Sequence, residues 1–153
     1  FRAPDHSWLR PWRFIEVIGE GRNKLGEAFI NSSKKIDDID EEKQKRILGL
    51  PMRSPMIIIV ISEIVDKPNV PRIEQIQSTA AATQNILIAL HDMGYAAYWR
   101  TGKYSSENNK YIANELSLNT NSEVLGYLYI GTPSKEPKEA PKLNKEDYVT
   151  VWE

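Results

Sequence analysis

Three short stretches carry side chains able to grip a polar heterocycle or an anion. In Arg2-Ala3-Pro4-Asp5-His6, ahead of Pro11-Trp12, a guanidinium and an imidazole stand four residues apart. The guanidinium offers a rigid fork of donors, and the imidazole can donate or accept. The spacing alone is equally consistent with an Arg paired to a surface carboxylate and a His packed in a loop. Trp99-Arg100-Thr101-Gly102 follows an aromatic segment and stops at a glycine, which lets backbone approach a ligand. A flat ring could stack on the indole and bond exposed amides; the bland alternative is a core Trp beside a solvated Arg. Gly131-Thr132-Pro133 could cradle an anion with help from Lys135 and Lys138, although such a tripeptide more often makes only a turn. His91 falls near the end of a long helical pattern, where the helix dipole favours a cation.

Several chemistries are excluded by what the chain lacks. There is no cysteine among the 153 residues, so disulfides, thiolate metal sites and cysteine nucleophiles are out, and two histidines leave little for a His-based metal site. No P-loop, G-x-G-x-x-G or G-x-S-x-G pattern occurs. A net charge of −1 offers no field for polyanions, so nucleic acid is not an expected partner. The apolar run Met56 to Ile61 is far too short to span a bilayer, and no signal-peptide core opens the chain. A soluble cytoplasmic protein of one domain is expected. Because the chain opens on Phe1-Arg2-Ala3-Pro4 and not on Met, a preceding N-terminal segment is also expected.

The elements that must position these residues follow from periodicity. Trp12 to Ile18, after Pro11 and before Gly19-Glu20-Gly21, reads as a strand. Leu25, Ala28 and Phe29 mark a helix that breaks up around Asn31-Ser32-Ser33, followed by an exposed charged segment from Lys34 to Lys45. Met56 to Ser62 reads as a central strand buried on both faces. Two apolar stripes, Ile73, Ile76, Ala80, Leu87, Leu90 and Ala82, Ile86, Ala89, Met93, predict a long helix buried at the centre of the domain. Its Thr83 can bond a carbonyl in the preceding turn, and Gly94 stands where a helix C′ residue belongs. Tyr95 to Trp99 reads as a short strand. Ser105 or Ser106 can cap a helix with Ile112 and Leu116 on its inner face, and Val124 to Ile130 is a strand. After a polar arm from Ser134 to Lys145, Tyr148 to Trp152 reads as a closing strand that docks on something.

Taken in order, Arg-Ala-Pro-Asp-His, Pro-Trp, the Met56 to Ser62 strand, Arg72-x-Glu74-Gln75, Trp99-Arg100-Thr101-Gly102 and Gly126-Tyr127-Leu128-Tyr129-Ile130-Gly131-Thr132-Pro133 resemble the nitroreductase family, most closely its short YdjA-type branch. The resemblance implies an α+β sandwich with a central, mainly antiparallel sheet flanked by helices. It further implies a homodimer with FMN at the interface, NAD(P)H as co-substrate, and a nitroaromatic, quinone or similar small acceptor, with no membrane partner. Residues 1–153 would form a single domain lacking the family's first helix and its Arg-Arg-Ser-type FMN motif. Carried across by position, Arg2 and His6 would contact the flavin, and Trp99, Arg100 and Thr101 would line its ring. Ala89, Leu90, His91, Asp92, Met93 and Gly94 would correspond to a segment assigned nicotinamide contacts. No catalytic side chain and no metal is implied, since the flavin carries the chemistry. The alternatives are a flavin-holding protein without turnover and a flavin-free dimerisation module.

Overall fold

A computed structural model describes residues 1–136 and 138–153 and builds one antiparallel sheet from four strands. These are β1 (Trp12–Ile18), β2 (Met56–Glu63), β3 (Ala96–Arg100) and β4 (Ser122–Gly131), in the spatial order β1-β2-β4-β3. The strand expected from Trp12 to Ile18 has those bounds, and the two later strands extend one or two residues past their expected ends. β2 is apolar without alternation because both of its faces are covered. Ile57, Ile59 and Ile61 enter the larger core, and Val60 with half-buried Ile58 enters the other.

The larger core lies beneath α1 (Gly21–Lys34), α2 (Glu41–Leu48) and the single turn α4 (Ile112–Glu115), which contribute Leu25, Phe29, Ile47 and Ile112. α1 does not break up at Asn31-Ser32-Ser33 as expected. The buried Ser32 hydroxyl donates to the Phe29 carbonyl at 3.0 Å, so a residue that favours turns is satisfied inside the helix. The segment from Lys34 to Lys45 is only partly a solvated stretch: Ile39 is buried, and Asp40 caps α2 by accepting from the Lys43 amide at 2.7 Å. Neither Ser105 nor Ser106 starts a helix. The Ser105 hydroxyl donates to the Gly102 carbonyl and closes the loop on itself, and that of Ser106 accepts from the Val124 amide and pins the loop to β4.

α3 (Arg72–Asp92) crosses the opposite face, and here the expectation of a fully buried helix is overturned. Its buried line is Gln75, Ser78, Thr79, Ala82 and Thr83, whereas Ile73, Ile88 and Met93 are 55%, 58% and 67% exposed. Counting apolar residues misjudged the face because the polar line satisfies itself. The Gln75 carboxamide accepts from the Val65 amide and donates to the Val65 and Val70 carbonyls. Thr79 donates to the Gln75 carbonyl, Ser62 on β2 meets Thr79, and Thr83 donates to the Thr79 carbonyl at 2.8 Å. α3 then ends in a Schellman cap at Gly94, with φ +80: the Gly94 amide reaches the His91 carbonyl and the Tyr95 amide reaches Leu90. The expected closing strand from Tyr148 to Trp152 is absent. A 3-10 turn at Lys145–Asp147 precedes an exposed tail in which Trp152 is 99% exposed, because no neighbouring strand edge in this chain lies against it.

β4 carries an irregularity that sets which residues face which layer. Val60 pairs with Gly126 and Ile61 with Val124, leaving Leu125 without a partner. The extra residue resets the alternation, so that Val124, Tyr127 and Leu128 all reach the interior. Tyr127 is held there by its hydroxyl, which donates to the Tyr104 carbonyl at 2.8 Å, and burial raises its pKa well above the ordinary tyrosine value. A phenol kept neutral in this way stabilises the fold fully below the ordinary value near pH 10 and loses that contribution as pH rises through the folded value. Tyr127→Phe should therefore cost about 1 kcal/mol at neutral pH and flatten the alkaline decline. Urea midpoints measured from pH 8 to about 11 test this; an unchanged alkaline slope would show that this phenol is not the coupled group.

Candidate functional site

The end of β3 carries Trp99, Arg100 and Thr101, the three residues expected to line a flat ring. Edge position leaves one side of the β3 backbone unpaired, since only β4 lies beside it. Trp99 packs inward beneath α3, among Leu128, Ala97 and Leu125. Its indole Nε1 is buried and has no hydrogen-bond partner, a deficit of about 1–3 kcal/mol where nothing else satisfies it. Beside it Gly126, at φ +148, allows β3 and β4 to close up: a Cβ there would stand 2.7 Å from both the Trp99 Nε1 and the Arg100 carbonyl. The sequence motif that begins at Gly126 gave this glycine no packing role, although a glycine inside an apolar strand is the usual signal of close backbone approach.

Arg100 is half-buried and, among the described residues, has no ion-pair partner, while Thr101 is exposed, just past the last ladder pair of Arg100 with Tyr127. Behind them the loop is rigidly tied. The Gly102 carbonyl accepts from Asn108 Nδ2 at 2.9 Å, and the Tyr104 ring stacks on Phe29 with centroids 3.9 Å apart. Flat surface, backbone beyond the ladder and a guanidinium thus come from three consecutive residues, Trp99 to Thr101, held on a fixed edge.

The Arg2 and His6 stretch sits elsewhere. Ala3 packs with Trp12 and Ala82, which places the stretch on the β1 side of α3, and Arg2 is exposed. His6 Nδ1 donates to Glu74 Oε2 at 2.6 Å, beside a shallow cleft lined by Pro4, Asp5, Gln77 and Ser78. β1 and β3 are opposite edges, three strand spacings or roughly 14 Å apart. One chain therefore does not bring Arg2 and His6 together with Trp99, Arg100 and Thr101.

Ala89, Leu90, His91, Asp92, Met93 and Gly94 form the last turn of α3 and its cap. His91 and Gly94 border a cavity of about 600 Å³ together with Leu87, Tyr95, Pro133 and Lys135. The stretch after Gly131 thus meets the end of α3, which spacing in the sequence did not show. Lys138 is exposed and does not line this cavity.

A larger space, about 670 Å³, opens on the α1 side of the sheet and is bordered by Arg100, Gly102 and Lys103. Tyr129, on β4, has its pKa raised by burial, an effect opposed by the positive charges of Arg100 and Arg53. Arg53 lies in the 3-10 turn Pro51–Arg53 that leads into β2; nothing local in the sequence marks it.

The β3 end suits a flat heterocycle with an anionic tail: an unpartnered buried indole N–H, free edge backbone and a guanidinium without a counter-ion. Such an edge on an α+β sandwich offers a place for a small ligand. The chain belongs to the nitroreductase family, whose model matches residues 1–132. It is 28% identical over 146 residues to the Escherichia coli (strain K12) protein named "Putative NAD(P)H nitroreductase YdjA", covering 95% of this chain and 77% of that one. To the Haemophilus influenzae protein named "Putative NAD(P)H nitroreductase" it is 31% identical over 151 residues, covering 97% and 80%. The crystal structure of a nitroreductase-like family protein from Bacillus cereus superposes with a TM-score of 0.80 at 28% identity, covering 99% of this chain and 78% of that one. The FMN- and NADPH-dependent nitroreductase NfnB from sphigopyxis sp. strain HMH also has this fold, with a TM-score of 0.71 at 15% identity, covering 99% of this chain and 84% of that one.

Proposed function

We propose that this protein is an FMN-dependent oxidoreductase that takes hydride equivalents from NAD(P)H and delivers them to a nitroaromatic, quinone or similar small acceptor. The observation that carries the reading is the end of β3, where the buried Trp99 N–H lacks a partner beside Gly126 and Arg100 lacks a counter-ion. Family membership supplies the class of chemistry. When bound, the flavin supplies a two-electron carrier between donor and acceptor. Trp99 and the backbone at Arg100 and Thr101 orient the ring system and offer it hydrogen bonds. The bond from His6 to Glu74 fixes the imidazole and leaves Nε2 available to a ligand. The roles of Arg2, His6, Trp99, Arg100 and Thr101 as cofactor contacts, and of Ala89 to Gly94 as the nicotinamide-side wall, belong to this proposal.

A homodimer is part of the same reading. Arg2 and His6 lie at the opposite sheet edge from Trp99, so a complete site needs the Arg2 stretch of a second copy. The exposed Ile73, Ile88 and Met93 on α3 give such a copy an apolar face to cover. No helix among the described residues is long and apolar enough to cross a membrane; we place the protein in the cytoplasm.

The test is the visible spectrum of the purified protein before and after anaerobic NADH or NADPH, with particle mass measured by light scattering. Flavin bands that bleach on addition, in a particle of two chains, are expected. Yellow protein that neither nucleotide bleaches would make it a flavin holder, and colourless protein that takes up no FMN would remove the enzyme altogether.

A further inference from the structure

We propose that the space between α2, the Pro51–Arg53 turn and the loop after β3 is a seat for a multiply charged organic phosphate. That chemistry is offered by the 2′-phosphorylated adenosine end of NADPH and not by NADH. Only the choice of this ligand source rests on the reductase reading; the site itself stands on the following geometry.

Five cations, Lys43, Arg46, Arg53, Arg100 and Lys103, border the space against one carboxylate, Asp37, an excess of four positive charges. Among the described residues none of the five is in an ion pair. The ion pairs among the described residues engage His6, Arg13, Lys35 and Arg72 instead. The cations also come from three separate elements. Lys43 and Arg46 stand at i and i+3 on α2, with Ile47 buried next to them. Arg53 closes the turn before β2, and Arg100 and Lys103 flank the end of β3. Convergence of like charges from distant parts of a chain is unfavourable unless an anion completes it.

The number of charges selects among anions. A monocarboxylate would cancel one of the four, whereas a phosphate monoester carries nearly two negative charges and a bisphosphate nearly four. Three of the five cations are arginines, whose planar forks match phosphate oxygens in pairs. The floor is apolar: Ile36, Leu50 and the Tyr104 ring offer a surface for a base or sugar, and a volume of about 670 Å³ falls within the usual range for small-molecule sites. Arg100 reaches this space from the face of the sheet opposite Trp99, because neighbouring residues of a strand point to opposite sides. A ligand here would therefore lie beside the flavin edge without covering the indole.

The experiment is calorimetric titration of the protein with adenosine 2′,5′-bisphosphate, with AMP and with inorganic phosphate, repeated in the presence of saturating FMN. The bisphosphate should bind, AMP should bind at least about tenfold more weakly, and affinity should fall steeply with salt. Arg46→Ala with Arg53→Ala should weaken the bisphosphate by about tenfold or more. Both side chains are exposed, so their loss should leave the melting curve in place; Lys43→Gln with Arg46→Gln provides a second variant should the first not fold. Equal affinity for AMP and bisphosphate would overturn the inference, as would binding that neither variant pair changes. Displacement of the bisphosphate by FMN would likewise overturn it, by making the space the flavin's own phosphate seat. A colourless protein that still binds the bisphosphate would sink the reductase reading while leaving this site intact.

Discussion

Gly126→Ala should be among the most damaging single substitutions in this chain, lowering stability by about 3 kcal/mol or more. The added methyl would stand 2.7 Å from the Arg100 carbonyl and 2.7 Å from Trp99 Nε1, and the backbone there holds φ +148, which L side chains rarely adopt. Backbone cannot yield as a flexible side-chain tip can, so β3 would have to peel from β4. The first thing lost would be the Trp99 to Thr101 edge. Urea unfolding gives the stability change, and retention of FMN through gel filtration gives the effect on the edge. A variant with a near-normal midpoint that still keeps flavin would show that β3 and β4 can separate without harm, and the assignment of this edge to the cofactor would fail with it.

Phe29→Ala should cost about 3–5 kcal/mol. Phe29 is fully buried, stacked on Tyr104 and edge-on to Tyr127 at 5.1 Å, so its removal leaves a cavity and two broken aromatic pairs. Tyr104 also anchors the loop that follows β3, with its carbonyl accepting from Tyr127. The variant should therefore lose flavin more readily than an equally destabilised control such as Leu25→Ala, which lies in the same core but belongs neither to that loop nor to the helix it leads into. Comparing flavin release at matched stability decides the matter. Equal release from both would mean that Phe29 serves the core alone.

How much of this was legible in the residues depended on whether the deciding interaction was local. β1 and β2 were readable because each is a run of β-branched and aromatic residues bounded by proline, and the cap at Gly94 because only one residue type suits that conformation. The placement of α3 was not. Its buried line includes Gln75, Ser78, Thr79 and Thr83, and the reason lies off the helix, at Ser62 on β2 and at Val65 in the loop that leads from β2 to α3. The closing strand failed for a related reason: Tyr148 to Trp152 has the composition of a strand, but a strand needs an edge to pair with. At the candidate site, Trp99, Arg100 and Thr101 were visible as one contiguous motif. Arg46 and Arg53 were not, because a cation's meaning depends on which charges from other elements surround it. The separation of Arg2 and His6 from Trp99 was hidden too, since order along the chain says nothing about which edge of a sheet a loop reaches.

No two neighbouring strands of this sheet are joined by a tight hairpin. β1 and β2 are separated by residues 19–55, and β2 and β4 by residues 64–121. Each pairing must close a long loop before any ladder bond repays the lost entropy, so the chain should fold on the slow side, in milliseconds to seconds. During that interval the Met56 to Ile61 run has neither of its partner strands, and an apolar, β-branched, uncharged hexamer is the kind of segment that pairs with copies of itself. For this protein the obstacle to obtaining folded material is then one of timing and concentration, and dilution during refolding should matter more than any added stability of the finished sheet.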